Sequence, residues 1–175
     1  MSNTPTLLYH GSRFEQTELM PGFLRSGVLV EWDKTESNRF LYATSVLNTA
    51  WELGFASSIE KAFDIERFHV HQGKILIQTQ EPITVEDLEK VPVYLYTIHY
   101  QDKDGWVKNF NEHNGLDTEY KTKQTIRAIE SCVKLDVRKW ICNYDVTIEE
   151  VLPDIKVGKS KQVTLESHRP VYLKW

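Results

Sequence analysis

The chain has 175 residues, 41% of them hydrophobic and 26% charged, a balance that suits one folded domain over residues 1–175 and argues against disorder. A formal net charge of −4 supplies no overall positive field for nucleic acid, although a local basic groove stays open. No apolar run approaches the roughly 20 residues that span a bilayer, so no membrane role is expected, and Met1 to Thr6 lack the charged-then-apolar order of a secretory signal.

Leu7 to His10 reads as a first strand stopped by Gly11-Ser12. Residues 13–38 carry Pro21-Gly22, Gly27 and a polar stretch from Asp33 to Asn38, which predicts a long functional loop. Phe40 to Thr44 reads as a second strand. After it, Leu47, Ala50, Trp51, Phe55, Ile59, Ala62 and Phe63 fall at helical spacings, with Ser45 as the expected N-cap. Phe68–His71 and Lys74–Thr79 read as strands around a Gln72-Gly73 turn. Thr84 to Leu88 reads as a short capped helix, and Val93 to Tyr100, rich in β-branched and aromatic residues, as a strand. Residues 101–117 are polar and read as a second long loop. Strands are expected over Glu119–Ile129 and Trp140–Val146, a capping box at Thr147–Glu150, a basic polar tail from Lys156 to Lys161, and an edge strand at Pro170–Trp175. Regular helices do not separate the strands, so the expected fold is α+β, with a mixed, mainly antiparallel sheet and a prominent helix after the second strand. Cys132 and Cys142 lack metal-ligand spacing and read as free, buried thiols in a reducing cytoplasm.

Three segments carry residue types suited to one chemistry. His10, in Tyr9-His10-Gly11-Ser12, can hydrogen-bond a sugar hydroxyl, and Gly11 lets a planar amide approach the backbone. Tyr42 offers a flat face for a ring to stack on. Glu119, in Thr118-Glu-Tyr-Lys-Thr122, can hold a ribose hydroxyl or stabilise positive charge as a glycosidic bond breaks. His10, Tyr42 and Glu119 together resemble the His-Tyr-Glu signature of the diphtheria-toxin and poly(ADP-ribose)-polymerase branch of ADP-ribosyltransferases. Leu8-Tyr-His-Gly-Ser12 matches its first motif, Phe40-Leu-Tyr-Ala-Thr44 with the following helix its second, and Glu119-Tyr120 more loosely its third. The resemblance spans roughly residues 7–130 and implies a split β-sheet core of that family's type.

The resemblance further implies NAD as co-substrate and no metal. His10 and Gly11 would bind the nicotinamide ribose and carboxamide, Tyr42 would stack on nicotinamide, and Glu119 would be the catalytic carboxylate. Ser12 and Thr44 would be supporting contacts. Segment 22–39 would cover the cofactor, and it and segment 101–117 would grip a protein or nucleic-acid acceptor. The implied activity is mono-ADP-ribosyl transfer with nicotinamide release, in a small enzyme of bacterial or phage type. Rival expectations are NAD or nucleotide N-glycoside hydrolysis, an RNA 2′-phosphotransferase on the same fold, and a non-catalytic module that binds NAD, ADP-ribose or a partner.

Each residue also has a plainer reading. His10-Gly11 can be a turn, Tyr42 a core tyrosine and Glu119 a solvated acid. Glu149 is the competing carboxylate, although a capping box at Glu150 makes it a first-turn acid. His69 and His71 share a strand face at a metal-ligating spacing but have no third ligand nearby in sequence. Tyr94, Tyr96, Tyr100 and Trp106 read as core rather than as a base-stacking surface. Lys156, Lys159 and Lys161 read as a solvated turn rather than a phosphate patch.

Overall fold

The computed structural model describes residues 4–21, 40–111 and 116–151. Its larger sheet has six strands in the order β6-β7-β2-β1-β5-β8, with every neighbouring pair antiparallel. These strands are β1 (Leu7–Ser12), β2 (Leu41–Thr44), β5 (Tyr94–His99), β6 (Val107–Asn111), β7 (Leu116–Thr122) and β8 (Ile129–Lys134). A smaller sheet joins the antiparallel hairpin of β3 (Ile65–His71) and β4 (Lys74–Thr79) to β9 (Asp145–Glu150), which runs parallel to β4. The expected α+β class with a mainly antiparallel sheet is therefore what the chain forms. Among the described residues, no helix is long and apolar enough to cross a membrane.

Helix α1 (Leu47–Ala62) lies between the two sheets and packs on each by a different means. Towards β1 it presents Ala50 and Gly54. A Cβ placed on Gly11 would sit 1.9 Å from the Ala50 carbonyl oxygen, and one placed on Gly54 would sit 2.9 Å from the Gly11 Cα. Glycine at both positions is thus required by the approach of two backbones. Towards the smaller sheet, α1 presents Trp51, Phe55 and Ile59, all fully buried against Phe68, Val70, Ile75 and Ile77. A second cluster lies on the other side of the larger sheet and contains Leu8, Leu41, Ala43, Tyr96, Ile98, Trp106 and Tyr120. The aromatic run beginning at Tyr94 belongs to it, as the sequence pattern predicts.

Local chemistry explains several elements. Gln72 and Gly73 both have positive φ, 47° and 74°, as the two-residue turn of a β3–β4 hairpin requires. Thr84 and Asp87 form a reciprocal capping box that starts α2 (Val85–Leu88).

Other expectations are corrected. Strand β1 does not stop at Gly11-Ser12, because both residues pair with β5, Gly11 with Leu95 and Ser12 with Tyr94. Ser45 does not cap α1. Val46 is the N-cap, Thr44 Oγ1 accepts its N–H at 3.1 Å, and the Ser45 hydroxyl turns to the Thr118 carbonyl. The expected loop over 101–117 instead holds a 3-10 turn at Asp102–Asp104 and the β6–β7 hairpin. The single strand expected over Glu119–Ile129 is two. Strand β7 ends where the Thr122 hydroxyl donates to the Asp104 carbonyl and accepts from the Gln124 N–H, a local turn that breaks the ladder. Ile126 then pairs with Leu19 in an isolated bridge before β8 begins.

Of the strand expected at Trp140–Val146 only Asp145 and Val146 are strand, in β9; the rest is the end of α3 (Val137–Ile141) and a turn, because Val137 and Ile141, four apart, bury together on one helical face. Thr147–Glu150 forms no capping box. It lies inside β9, where Val146 and Ile148 alternate onto the core beside β4. Both cysteines are free as expected but exposed rather than buried, Cys132 on β8 and Cys142 at the end of α3. Segment 22–39, the Lys156–Lys161 tail and the Pro170–Trp175 strand lie outside the described residues.

Candidate functional site

The larger sheet is thinly paired in its middle. Strands β1 and β2 share a single register pair, Tyr9 with Thr44, whereas β1 follows β5 over six pairs and β2 follows β7 over four. Beyond that pair the two central strands share no further register pair, with His10 and Gly11 on β1 and Tyr42 on β2. The His10 ring crosses this seam, and its Nδ1 lies 2.7 Å from the Tyr42 carbonyl oxygen. A carbonyl only accepts, so Nδ1 donates, and in the neutral ring Nε2 then carries the acceptor lone pair. The Tyr96 ring, 6.1 Å away on β5, packs beside the imidazole.

Alternation along the strands decides which side chains can meet. His10 stands opposite Tyr96, so it shares a face with Leu8, Leu41, Ala43 and Tyr120. Thr44 stands opposite Tyr9 and Glu119, and Tyr42 opposite Lys121, so Tyr9, Tyr42, Thr44, Glu119 and Lys121 share the other face, towards α1. The structure therefore groups Tyr42, Thr44 and Glu119 and sends the His10 ring to the opposite face. The reach of His10 Nδ1 to the Tyr42 carbonyl links the two.

The supporting residues have local tasks. Asn109 on β6 donates from Nδ2 to Glu119 Oε2 at 3.2 Å, which holds the carboxylate against its cross-strand neighbour. Ser12 is buried, and its hydroxyl accepts from the Phe14 N–H at 3.1 Å and from Gln16 Nε2 at 3.2 Å. It braces the turn after β1. Thr44 is buried and starts α1 through its bond to Val46 N. Gly11 is sealed on the α1 side by Ala50 and Gly54.

Three neighbours were not singled out by sequence reasoning: Lys121, Lys123 and Asn109. Lys121 and Lys123 place their ammonium groups 4.7 and 5.2 Å from the centroid of Phe40, which in turn meets Tyr42 edge-on. The spacing Lys-x-Lys on a strand was the available signal. Asn109 gave none, since it sat in an apparently structureless polar stretch. Glu149 is exposed on β9 in the smaller sheet, where it accepts from Gln78, and does not belong to the β1–β2 seam. His69 and His71 stack with their rings 6.0 Å apart, and among the described residues no three His, Cys, Asp or Glu side chains gather as a metal site.

No protein-family model, curated protein or solved structure matches the chain.

Proposed function

We propose that the chain is an NAD-dependent mono-ADP-ribosyltransferase acting in the cytoplasm, with NAD held at the thinly paired seam of β1 and β2. The observation that carries this reading is that single-pair seam, bridged by His10 with its proton assigned to Nδ1. The His10 imidazole suits a hydrogen bond to a ribose hydroxyl, and backbone groups beyond the single β1–β2 pair suit recognition of a planar carboxamide. The C1′–N bond of the nicotinamide ribose breaks with its electron pair leaving on nicotinamide. The oxocarbenium-like carbon is then attacked by a nucleophile on a protein or nucleic-acid acceptor, which gives up its proton. Glu119 is the carboxylate assigned to stabilise that charge, held by Asn109, and the β6–β7 hairpin beside it is assigned to acceptor contact. Water as the acceptor would make the same site a hydrolase.

One observation favours a second reading. Glu119 and the His10 ring leave the sheet on opposite faces, which suits a module that binds NAD or ADP-ribose without turning it over.

The test is incubation of the purified chain with NAD labelled on its adenylate portion, with cell lysate present, while free nicotinamide and macromolecular label are followed. Nicotinamide release with label on protein, or on nucleic acid removable by nuclease, establishes the transferase and its acceptor class. Release without macromolecular label means hydrolysis or transfer to a small-molecule acceptor. Binding without release supports the module, and absence of binding sinks both.

A further inference from the structure

The other side of α1 holds a separate hollow of about 520 Å³, within the range of small-ligand sites. Asn48 and Glu52 lie two residues before and after Ala50, so they are turned about 200° from the side that touches Gly11. The hollow is therefore independent of the β1–β2 seam and of the function proposed there. The β3–β4 turn closes one end with His71, and α3 with its following turn supplies Trp140 and Tyr144.

Its walls are flat and electron-rich. The rings of Trp140 and Tyr144 both stack on buried Trp51, with centroids 5.2 Å away and interplanar angles of 15° and 14°. Both rings are half-buried, so the core fixes their orientation while part of each stays accessible. Tyr144 donates its hydroxyl to Glu52 Oε1 at 3.0 Å, which orients the carboxyl in the wall. Asn143 Nδ2 donates to the carbonyls of Lys139 and Trp140, at 3.0 and 3.2 Å, so its side chain has its carbonyl oxygen left to offer. No lysine or arginine lines the hollow among the described residues. With Glu52 and no lysine or arginine, such a lining offers an anion no permanent positive charge. A partly desolvated carboxyl beside aromatic faces favours a flat, delocalised cation that stacks and donates two parallel N–H groups.

We propose that this hollow is a binding site for an alkylguanidinium group, with Glu52 as its counter-ion and Trp140 as its stacking face. A free guanidine metabolite and an arginine side chain of a partner protein present the same group.

The test titrates the full chain calorimetrically with butylguanidinium, with its neutral isostere butylurea, and with a short arginine-containing peptide. The expected result is saturable one-to-one binding of butylguanidinium, binding at least about tenfold weaker in Glu52→Gln and no measurable binding of butylurea. Glu119→Gln should bind as the wild type does. Glu52→Gln keeps an oxygen for the Tyr144 hydroxyl, so it should stay folded, with a cooperative melt. Binding of the peptide tighter than butylguanidinium assigns the site to a partner's arginine, and the reverse order assigns it to a free guanidine. Failure of butylguanidinium and the peptide alike to saturate, equal affinity for butylurea, or undiminished binding in Glu52→Gln overturns the proposal.

Discussion

The two sides of helix α1 use opposite physical means to hold one helix to two sheets. Towards β1 the contact is made by what is missing: Gly11 and Gly54 carry no side chains, and the backbones close to a distance no Cβ would tolerate. Towards the smaller sheet the contact is made by bulk, with Trp51 stacked between partners from α1 and from the α3 region. The first contact holds the strand that bears His10 rigidly against the helix. The second builds a stable stack with accessible outer rings. Steric closeness suits positioning a backbone at a thinly paired seam, and aromatic area suits framing a hollow.

Four changes should break or sharpen this contrast. Trp51→Ala removes a fully buried indole from the aromatic side and should cost about 3–5 kcal/mol in denaturant unfolding. A loss within experimental error would mean that the stack is not holding the helix. Glu119→Gln acts beside the glycine side and leaves the packing alone. Under the transferase reading it should lower nicotinamide release by roughly a hundredfold while NAD binding persists. Unchanged release would remove Glu119 from the chemistry.

Gly54→Ala separates local preference from packing. Alanine is the better helix former by about 1 kcal/mol, yet the new Cβ would meet Gly11 at 2.9 Å. A net destabilisation of about 1–3 kcal/mol is expected, and a more stable variant would show that the close approach is absent in solution.

The smallest effect is the pH dependence of Glu52. Burial raises its pKa above the ordinary carboxylate value, outweighing the lowering by the Tyr144 hydrogen bond. A carboxyl with a raised folded-state pKa binds more protons folded than unfolded between the two values. Stability should therefore fall as pH rises from the ordinary glutamate value through the raised one, then level off. Glu52→Gln should lose that fall, so the wild-type-minus-variant difference in melts should slope downwards as pH rises across the mildly acidic range. Glu60 is shifted the same way by burial and continues to titrate in both proteins. A difference curve with no slope in that window would place Glu52 in water.

Much of the fold could be read along the chain where the signal is local. The periodicity of Trp51, Phe55 and Ile59 marks the helix, Gln72-Gly73 marks the hairpin, and Thr84 with Asp87 marks a cap, because each depends on neighbours within a few residues. The errors fell where distant partners outweigh local pattern. Thr147 to Glu150 has the form of a capping box, but Val146 and Ile148 gain a core and a parallel partner in β4. Trp140 belongs to a strand-like aromatic stretch, but its ring is claimed by Trp51, almost 90 positions earlier in the chain.

The candidate site divides in the same way. Tyr9-His10-Gly11-Ser12 marked by itself where to look, since a histidine beside a glycine at a strand is a short-range pattern. Which faces the chemistry-bearing side chains take was decided by register: a shift of one position along β2 would carry Tyr42 to the His10 face. Strand register is set by pairing between segments more than 30 residues apart, and local sequence carries no record of it. The hollow around Glu52 is more extreme, because α1, the β3–β4 turn and α3 with its following turn meet there only on folding. By itself the sequence determined the class of fold, the main helix and the residues worth suspecting. Tertiary pairing alone decided which of them share a face, because a side chain's direction on a strand depends on a partner the chain meets only on folding.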